Sequence, residues 1–187
     1  MSLEHILLGI LRKPASGYDI KAVFDRVFKH FWSAELSQIY RTLKKLEKEK
    51  FLTGRAEMSD RGPDKRVYEI TRSGRKKLLE WLEAGPNIGS ERFTYLAQIY
   101  FLGELDDLDA SIAFFEQLRD AVERENKTLH GIEDYWKSQD QNYPDRLGNH
   151  EFHAQLTLAM GIRKTGALVD WANECIQRLH KRRREAM

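Results

Sequence analysis

The side chains of this 187-residue chain best equipped to bind something are crowded into residues 35–70, ELSQIYRTLKKLEKEKFLTGRAEMSDRGPDKRVYEI. Ser37, Gln38, Tyr40 and Arg41 supply hydrogen-bonding groups suited to base edges or phosphates. Lys44, Lys45 and Lys48 supply point charges that attract phosphate without reading sequence. Arg61, Lys65 and Arg66 follow close behind. No constellation for covalent or acid–base chemistry matches this density. The 12 glycines are scattered, and none forms a phosphate-cradling loop. His150 and His153 flank Glu151, but no third ligand stands at a supporting spacing, so no metal is expected. Cys175 is the only cysteine. Lying on an apolar stripe, it reads as a buried structural thiol and not a redox sensor. A single cysteine excludes an intrachain disulfide and fits a reducing, cytoplasmic setting. The chain is not expected to be an enzyme, and no cofactor is expected.

These groups must be positioned by regular elements, and the apolar spacing predicts which. Leu36, Ile39, Leu43 and Leu46 recur at steps of three, four and three, one face of an α-helix. Ser33 fits its N-cap, and Glu35 sits where the helix dipole favours negative charge. Phe51 to Met58 reads as a strand, Ser59 to Asp64 as a Gly-Pro turn, and Arg66 to Ile70 as the returning strand. The tip of that hairpin projects Arg61, Lys65 and Arg66. A charged helix alone is better explained as a solvated face, but one leading directly into a basic hairpin suits a major groove and its flanking phosphates. Two helices precede it. Leu3, Ile6, Leu7, Ile10 and Leu11 form a narrow stripe on the first, ended by Pro14 and Gly17. Ile20, Val23, Phe24, Val27, Phe28 and Phe31 form a broader stripe on the second. Thr71 can cap a fourth helix with Leu78, Leu79, Trp81 and Leu82 facing inward. The order α-α-α-β-β-α over residues 1–84 is a complete winged helix-turn-helix unit.

At this point the sequence resembles the PadR family of bacterial transcription regulators. The resemblance rests on LEHILLGIL, SGYDI, LSQIYRTLKKLE, RGPDKRVYEIT and SGRKKL, and covers nearly all of residues 3–82. It implies a homodimer that represses promoters through an inverted-repeat (palindromic) operator in double-stranded DNA. It places Tyr18, Ser37, Gln38, Tyr40 and Arg41 at DNA-facing positions and matches Lys65 and Arg66 to the basic wing. One departure is Lys50, which stands where the family often has glycine. The family includes repressors released by phenolic or other planar compounds, and others for which no ligand is evident. Trp32, Trp81, Trp136 and Trp171 are the residues that could line an aromatic effector site between the wing domain and the dimer helices.

Charge follows the same division. Residues 1–84 hold 18 Lys+Arg against 12 Asp+Glu, a balance of +6, and the remainder holds 13 against 17, a balance of −4. A basic region on a nearly neutral chain is a local footprint for nucleic acid. Gly85 to Ser90 marks the boundary. Beyond it, residues 91–187 read as a helical dimerisation domain, similar in arrangement to the virulence-regulator-type extension of larger PadR-like proteins. Residues 91–103 are apolar on most sides and are expected to be wedged between other elements. Residues 107–139 carry Leu108, Phe115, Val122, Leu129 and Trp136 at heptad spacing. The last helix, about 150–184, carries Leu168, Trp171, Cys175 and Leu179 along one stripe. Two such helices are expected to pair antiparallel with those of a second copy, with Gly161, Thr165 and Gly166 permitting close approach. The basic HKRRREA segment reads as a solvated helix end. No stretch reaches transmembrane length, and the N-terminus reads as a helix and not a signal peptide. The fold expected is thus mainly α with a small β-hairpin. The competing function is a winged-helix protein-interaction module without sequence-specific DNA binding.

Overall fold

The computed structural model describes residues 2–29, 31–57, 65–89, 93–140 and 142–186. They fall into two units, Met1–Ser90 and Glu91–Met187. In the first, α1 (Ser2–Ile10), α2 (Gly17–Val23) and α3 (Leu36–Lys48) surround a core of Leu7, Leu8, Leu11, Ile20, Phe24, Ile39, Leu43 and Leu46. The predicted stripe of α3 is the buried one: Ile39, Leu43 and Leu46 are completely enclosed. α2 runs on as a π-helical turn, Phe24–Phe28, and the broad stripe expected there is only partly used. Phe24 is enclosed, whereas Val27 and Phe31 are exposed.

The two-stranded hairpin expected from the sequence is a three-stranded antiparallel sheet. β2 (Leu52–Glu57) and β3 (Lys65–Ile70) pair from Leu52 opposite Ile70 to Glu57 opposite Lys65. A two-residue strand, β1 (Ala15–Ser16), joins on the far side of β3, with Ala15 opposite Tyr68 and Ser16 opposite Val67. β3 is therefore central, and the adjoining Val67 and Tyr68 are both buried where simple alternation predicted one in and one out. The turn carrying Arg61 lies outside the described residues.

α4 (Arg72–Glu83) starts at Thr71, whose hydroxyl accepts from Gly74 N at 3.1 Å and lies 2.9 Å from the Lys50 carbonyl. A Cβ on Gly74 would sit 2.1 Å from the Phe51 carbonyl oxygen, so only glycine lets α4 approach this closely. The inward face expected of α4 is narrower than predicted, since Leu79 and Leu82 are exposed.

The second unit contains α5 (Thr94–Phe101), a 3-10 turn (Leu102–Leu105), α6 (Leu108–Gln139) and α7 (Asn149–Glu185). α6 and α7 form an antiparallel hairpin within one chain, with Arg183 paired to Asp109 at one end. Two stripes expected to seek a second copy thus bury each other. The heptad residues Phe115, Val122 and Leu129 are enclosed, together with Ser111 and Ile112. On α7 the enclosed residues are Leu158, Gly161, Thr165, Ala172 and Ile176, a line rotated from the predicted Leu168–Trp171–Cys175–Leu179 stripe, which is half-buried. Small Gly161 and Thr165 do permit close approach, but to α6 of the same chain. Asn126 donates to the Thr165 hydroxyl at 2.8 Å and to the Ile162 carbonyl at 3.1 Å. Within a single copy of the chain α5 encloses none of its own residues and leaves Leu96, Tyr100 and Phe101 exposed. No described helix is long and apolar enough to cross a membrane.

Candidate nucleic-acid interface

α3 begins later than its sequence suggested. Its N-cap is Glu35 and not Ser33, because Gln38 Oε1 accepts from Glu35 N at 3.0 Å, a reciprocal bond available only three residues beyond the cap. Ala34, just outside the cap, is buried with Ile39 in the core, which fixes the direction in which the chain enters the helix. At its other end Lys50 adopts φ 62°, with Lys50 N bonded to Glu47 O and Phe51 N bonded to Leu46 O. That is a Schellman ending in which lysine occupies the left-handed position usual for glycine.

Between these fixed ends, Ser37, Arg41, Lys44 and Lys48 fall within about 60° of one another around the helix axis, opposite Ile39, Leu43 and Leu46. All four are exposed. Arg41, Lys44 and Lys48 have no acidic partner among the described residues. Gln38 flanks the strip on one side; its oxygen is engaged at the cap, which leaves its amide nitrogen to donate outward. Tyr40 flanks the other side. Its ring lies over the first turn of α2, where a Cβ on Gly17 would come within 2.5 Å of it. Tyr18, 69% exposed, meets Tyr40 edge-on at 6.4 Å. Burial, then the neighbouring Tyr18 and Asp19, raise the Tyr40 pKa, which keeps its phenol neutral and able to donate. Asp19 in turn accepts from Ser16 N at 2.9 Å and Ser16 Oγ at 2.7 Å, and these bonds lower its pKa. The SGYDI segment thus both caps α2 and sets two phenols beside the cationic strip.

The cations named from the wing divide. Lys65 is exposed at the start of β3. Arg66 instead pairs with Glu47 of α3. Lys45, on the Gln38 side of the strip, pairs with Glu4 of α1. Sequence inspection missed both pairings, since neither partner's spacing signals the other.

The tryptophans are divided between the two units, each with its own contacts. Trp81 stacks on His5 at 4.8 Å, and Trp32 packs against the core of the same unit. Trp171 meets Phe115 at 5.6 Å, while Trp136 meets Tyr143 at 6.4 Å. Phe115 and Trp136 are separated by about 30 Å of α6 at 1.5 Å per residue, so Trp136 and Trp171 of one copy of the chain lie far apart. A shallow cleft of about 110 Å³ in the first unit, beside Pro14, Gly54 and Val67, is lined by no tryptophan. His153 donates from Nδ1 to the Asn149 carbonyl at 2.6 Å. Among the described residues no cluster of His, Cys, Asp or Glu is placed to hold a metal. Cys175 is half-buried rather than enclosed, and that burial raises its thiol pKa.

A helix-turn-helix with an exposed cationic strip and an adjoining sheet invites comparison with known regulators. The transcriptional regulator PadR-like family model matches residues 6–80, and the virulence activator alpha C-terminal model matches residues 91–180. The negative transcriptional regulator PadR of Bacillus subtilis is 31% identical over 181 residues, covering 96% of this chain and 98% of that one. This chain belongs to the PadR-like family of transcriptional regulators. Family membership makes it a regulator of a non-enzymatic kind. The crystal structure of Bacillus subtilis PadR in complex with operator DNA is similar at a TM-score of 0.79 and 29% identity, covering 96% of this chain and 99% of that chain. The structure of the same protein in complex with p-coumaric acid is similar at a TM-score of 0.71 and 28% identity, covering 95% of this chain and 95% of that chain.

Proposed function

We propose that this PadR-like chain is a cytoplasmic repressor that binds double-stranded DNA sequence-specifically, as a homodimer on an inverted-repeat operator. The observation that carries it is the strip Ser37–Arg41–Lys44–Lys48, cationic, without acidic partners among the described residues, and held opposite a fully enclosed core face. In this reading Arg41 and the Gln38 amide read base edges. Ser37, Tyr40 and Tyr18 donate to the backbone, and Lys44 and Lys65 neutralise phosphates. The operator complex of the Bacillus subtilis relative supports this use of the fold. A protein-interaction module accounts equally well for the winged helix, but it gives no reason to leave three cations uncompensated on one exposed face.

The dimer is supported by the apolar groups exposed on the second unit, among them Leu96, Tyr100 and Phe101 on α5 and Phe152, Leu156 and Met160 at successive turns of α7. A two-fold pairing would set two strips about one DNA turn, roughly 34 Å, apart. A small aromatic effector is supported by the p-coumaric acid complex of the relative.

Selection of duplexes from a random library by the purified protein tests the proposal. Recovery of an inverted repeat supports it, and recovery of no sequence above the starting pool overturns it in favour of the interaction module. Sedimentation at micromolar concentration should give twice the 22.0 kDa chain mass; a clean monomer contradicts the dimer. p-Coumaric acid should quench tryptophan fluorescence and release the duplex, and the absence of both effects removes that compound as effector.

A further inference from the structure

Glu47 and Arg66 join two elements that the sequence keeps apart. Glu47 lies in the last turn of α3, and Arg66 lies on the central strand of the wing. The guanidinium donates to Glu47 Oε1 and stands 5.8 Å from the ring of Tyr68, two residues along the same strand face. The pair crosses directly over Gly54, the β2 residue opposite Tyr68. A Cβ at position 54 would lie 2.5 Å from Glu47 Oε1 and 2.7 Å from Arg66 Nε. The glycine is thus a gap in the sheet face through which the ion pair passes. Tyr68 forms its floor: it is 2% exposed, and its phenol pKa is raised first by burial and then by the Glu47 charge.

Resting on the DNA-binding function proposed above, we propose that Glu47 and Arg66 are positioning residues for that function. They form a strut that fixes the angle of the wing against the recognition helix, and Arg66 acts through Glu47 and not on phosphate. A second consequence concerns Gly54, which is required by the strut and not by any turn. Strut and phosphate contact differ in sign. Removing a carboxylate near DNA should, by electrostatics alone, strengthen binding. Removing half of a strut should weaken it.

The experiment compares wild type, Glu47→Gln, Arg66→Gln and the double variant on the duplex recovered by selection, across a salt series. A strut gives each single variant about a three- to fivefold loss, the scale of a partly exposed ion pair. The double variant is no weaker than either single, and the slope of log affinity against log salt is unchanged. A phosphate contact instead gives Glu47→Gln tighter binding and Arg66→Gln a slope smaller by about one, and that result overturns the proposal. The same four proteins are unfolded in urea without DNA. Non-additive midpoint shifts support the pair as a structural unit, and additive shifts overturn it. Gly54→Ala should give the same affinity loss as breaking the pair. If wild type selects no duplex, the DNA-binding function fails, and the urea cycle alone decides whether the strut exists.

Discussion

Lys45 on the recognition helix holds its ammonium 2.7 Å from Glu4 on α1, a carboxylate whose side chain is only 8% exposed. Lys77 of α4 approaches the other oxygen at 3.6 Å. One enclosed acid therefore ties three helices together, and it does so at the Gln38 edge of the proposed DNA-reading face. An enclosed carboxylate is tolerated only because it is paired, so removing the cation is more damaging than removing both charges.

The pH dependence follows from the sign of the Glu4 shift. The Lys45 hydrogen bond, the strongest influence, holds the Glu4 carboxyl below its ordinary value although burial pushes it up. A carboxyl whose pKa is lower folded than unfolded stabilises the fold above its unfolded pKa and loses that contribution as pH falls through the folded one. Stability should thus hold from neutrality to about pH 5 and decline below it. Glu4→Gln should cost about 1–2 kcal/mol at neutral pH and flatten part of the acid decline. Urea midpoints for both proteins across the acid range check this, and an unchanged decline in the variant would assign it to other carboxylates.

Lys50→Gly should stabilise the N-terminal unit. Lysine at φ 62° meets the steric penalty of the left-handed region, while both Schellman hydrogen bonds are backbone groups that glycine keeps. Against the greater chain entropy of glycine, a net gain of about 0.5–1 kcal/mol is expected. Thermal and urea midpoints should rise together. A fall would mean that the lysine side chain makes a stabilising contact outweighing its backbone strain.

Arg41 and Lys44 share one strip but should fail differently. Arg41→Ala should weaken binding to the selected duplex by about 1–3 kcal/mol and relax preference at one base position. Lys44→Ala should weaken binding to every duplex and reduce the salt slope by about one. Titrations against selected and scrambled duplexes at several salt concentrations separate the two. Equal effects on both duplexes for Arg41→Ala would move it from base reading to backbone contact.

Long periodic elements were legible in the sequence because burial imposes the period. Ile39, Leu43 and Leu46 announced α3, and Phe115, Val122 and Leu129 announced α6. β1 was not legible, since two residues carry no period and their pairing is decided by β3 alone. The α7 stripe was misplaced because its enclosed line includes Gly161, Thr165 and Ala172, whose smallness matters for close approach and whose hydropathy signals little. For the interface, the types of residue on α3 were readable from its helical face. The neutralisation of Lys45 and Arg66 was not, because it depends on Glu4 and Glu47 arriving from other contexts. Which partners each tryptophan meets was not legible either: Trp171 packs on Phe115 and Trp136 on Tyr143, contacts between segments whose spacing gives no sign of them.

Asn126 should report on the register of the α6–α7 hairpin. Its amide donates to Thr165 Oγ1 and to the Ile162 carbonyl, and Thr165 Oγ1 donates in turn to the Gly161 carbonyl at 2.8 Å. Asn126→Leu removes a donor from two acceptors and should cost about 1–3 kcal/mol. Asn126→Asp is the sharper change, since it sets a carboxylate against a carbonyl with no proton between them. Its pKa should be raised by folding, so the variant should be least stable at neutral pH and should recover as pH falls and the acid protonates. Gly166→Ala is the control: its Cβ would meet Asn126 Nδ2 at 3.9 Å, ordinary contact, and helix propensity should leave it neutral or slightly stabilising. Urea unfolding followed by circular dichroism at neutral and acid pH measures all three. Asn126→Asp as stable as wild type at neutral pH would mean that the helices shift to find the carboxylate another partner, and that Asn126 does not fix their register.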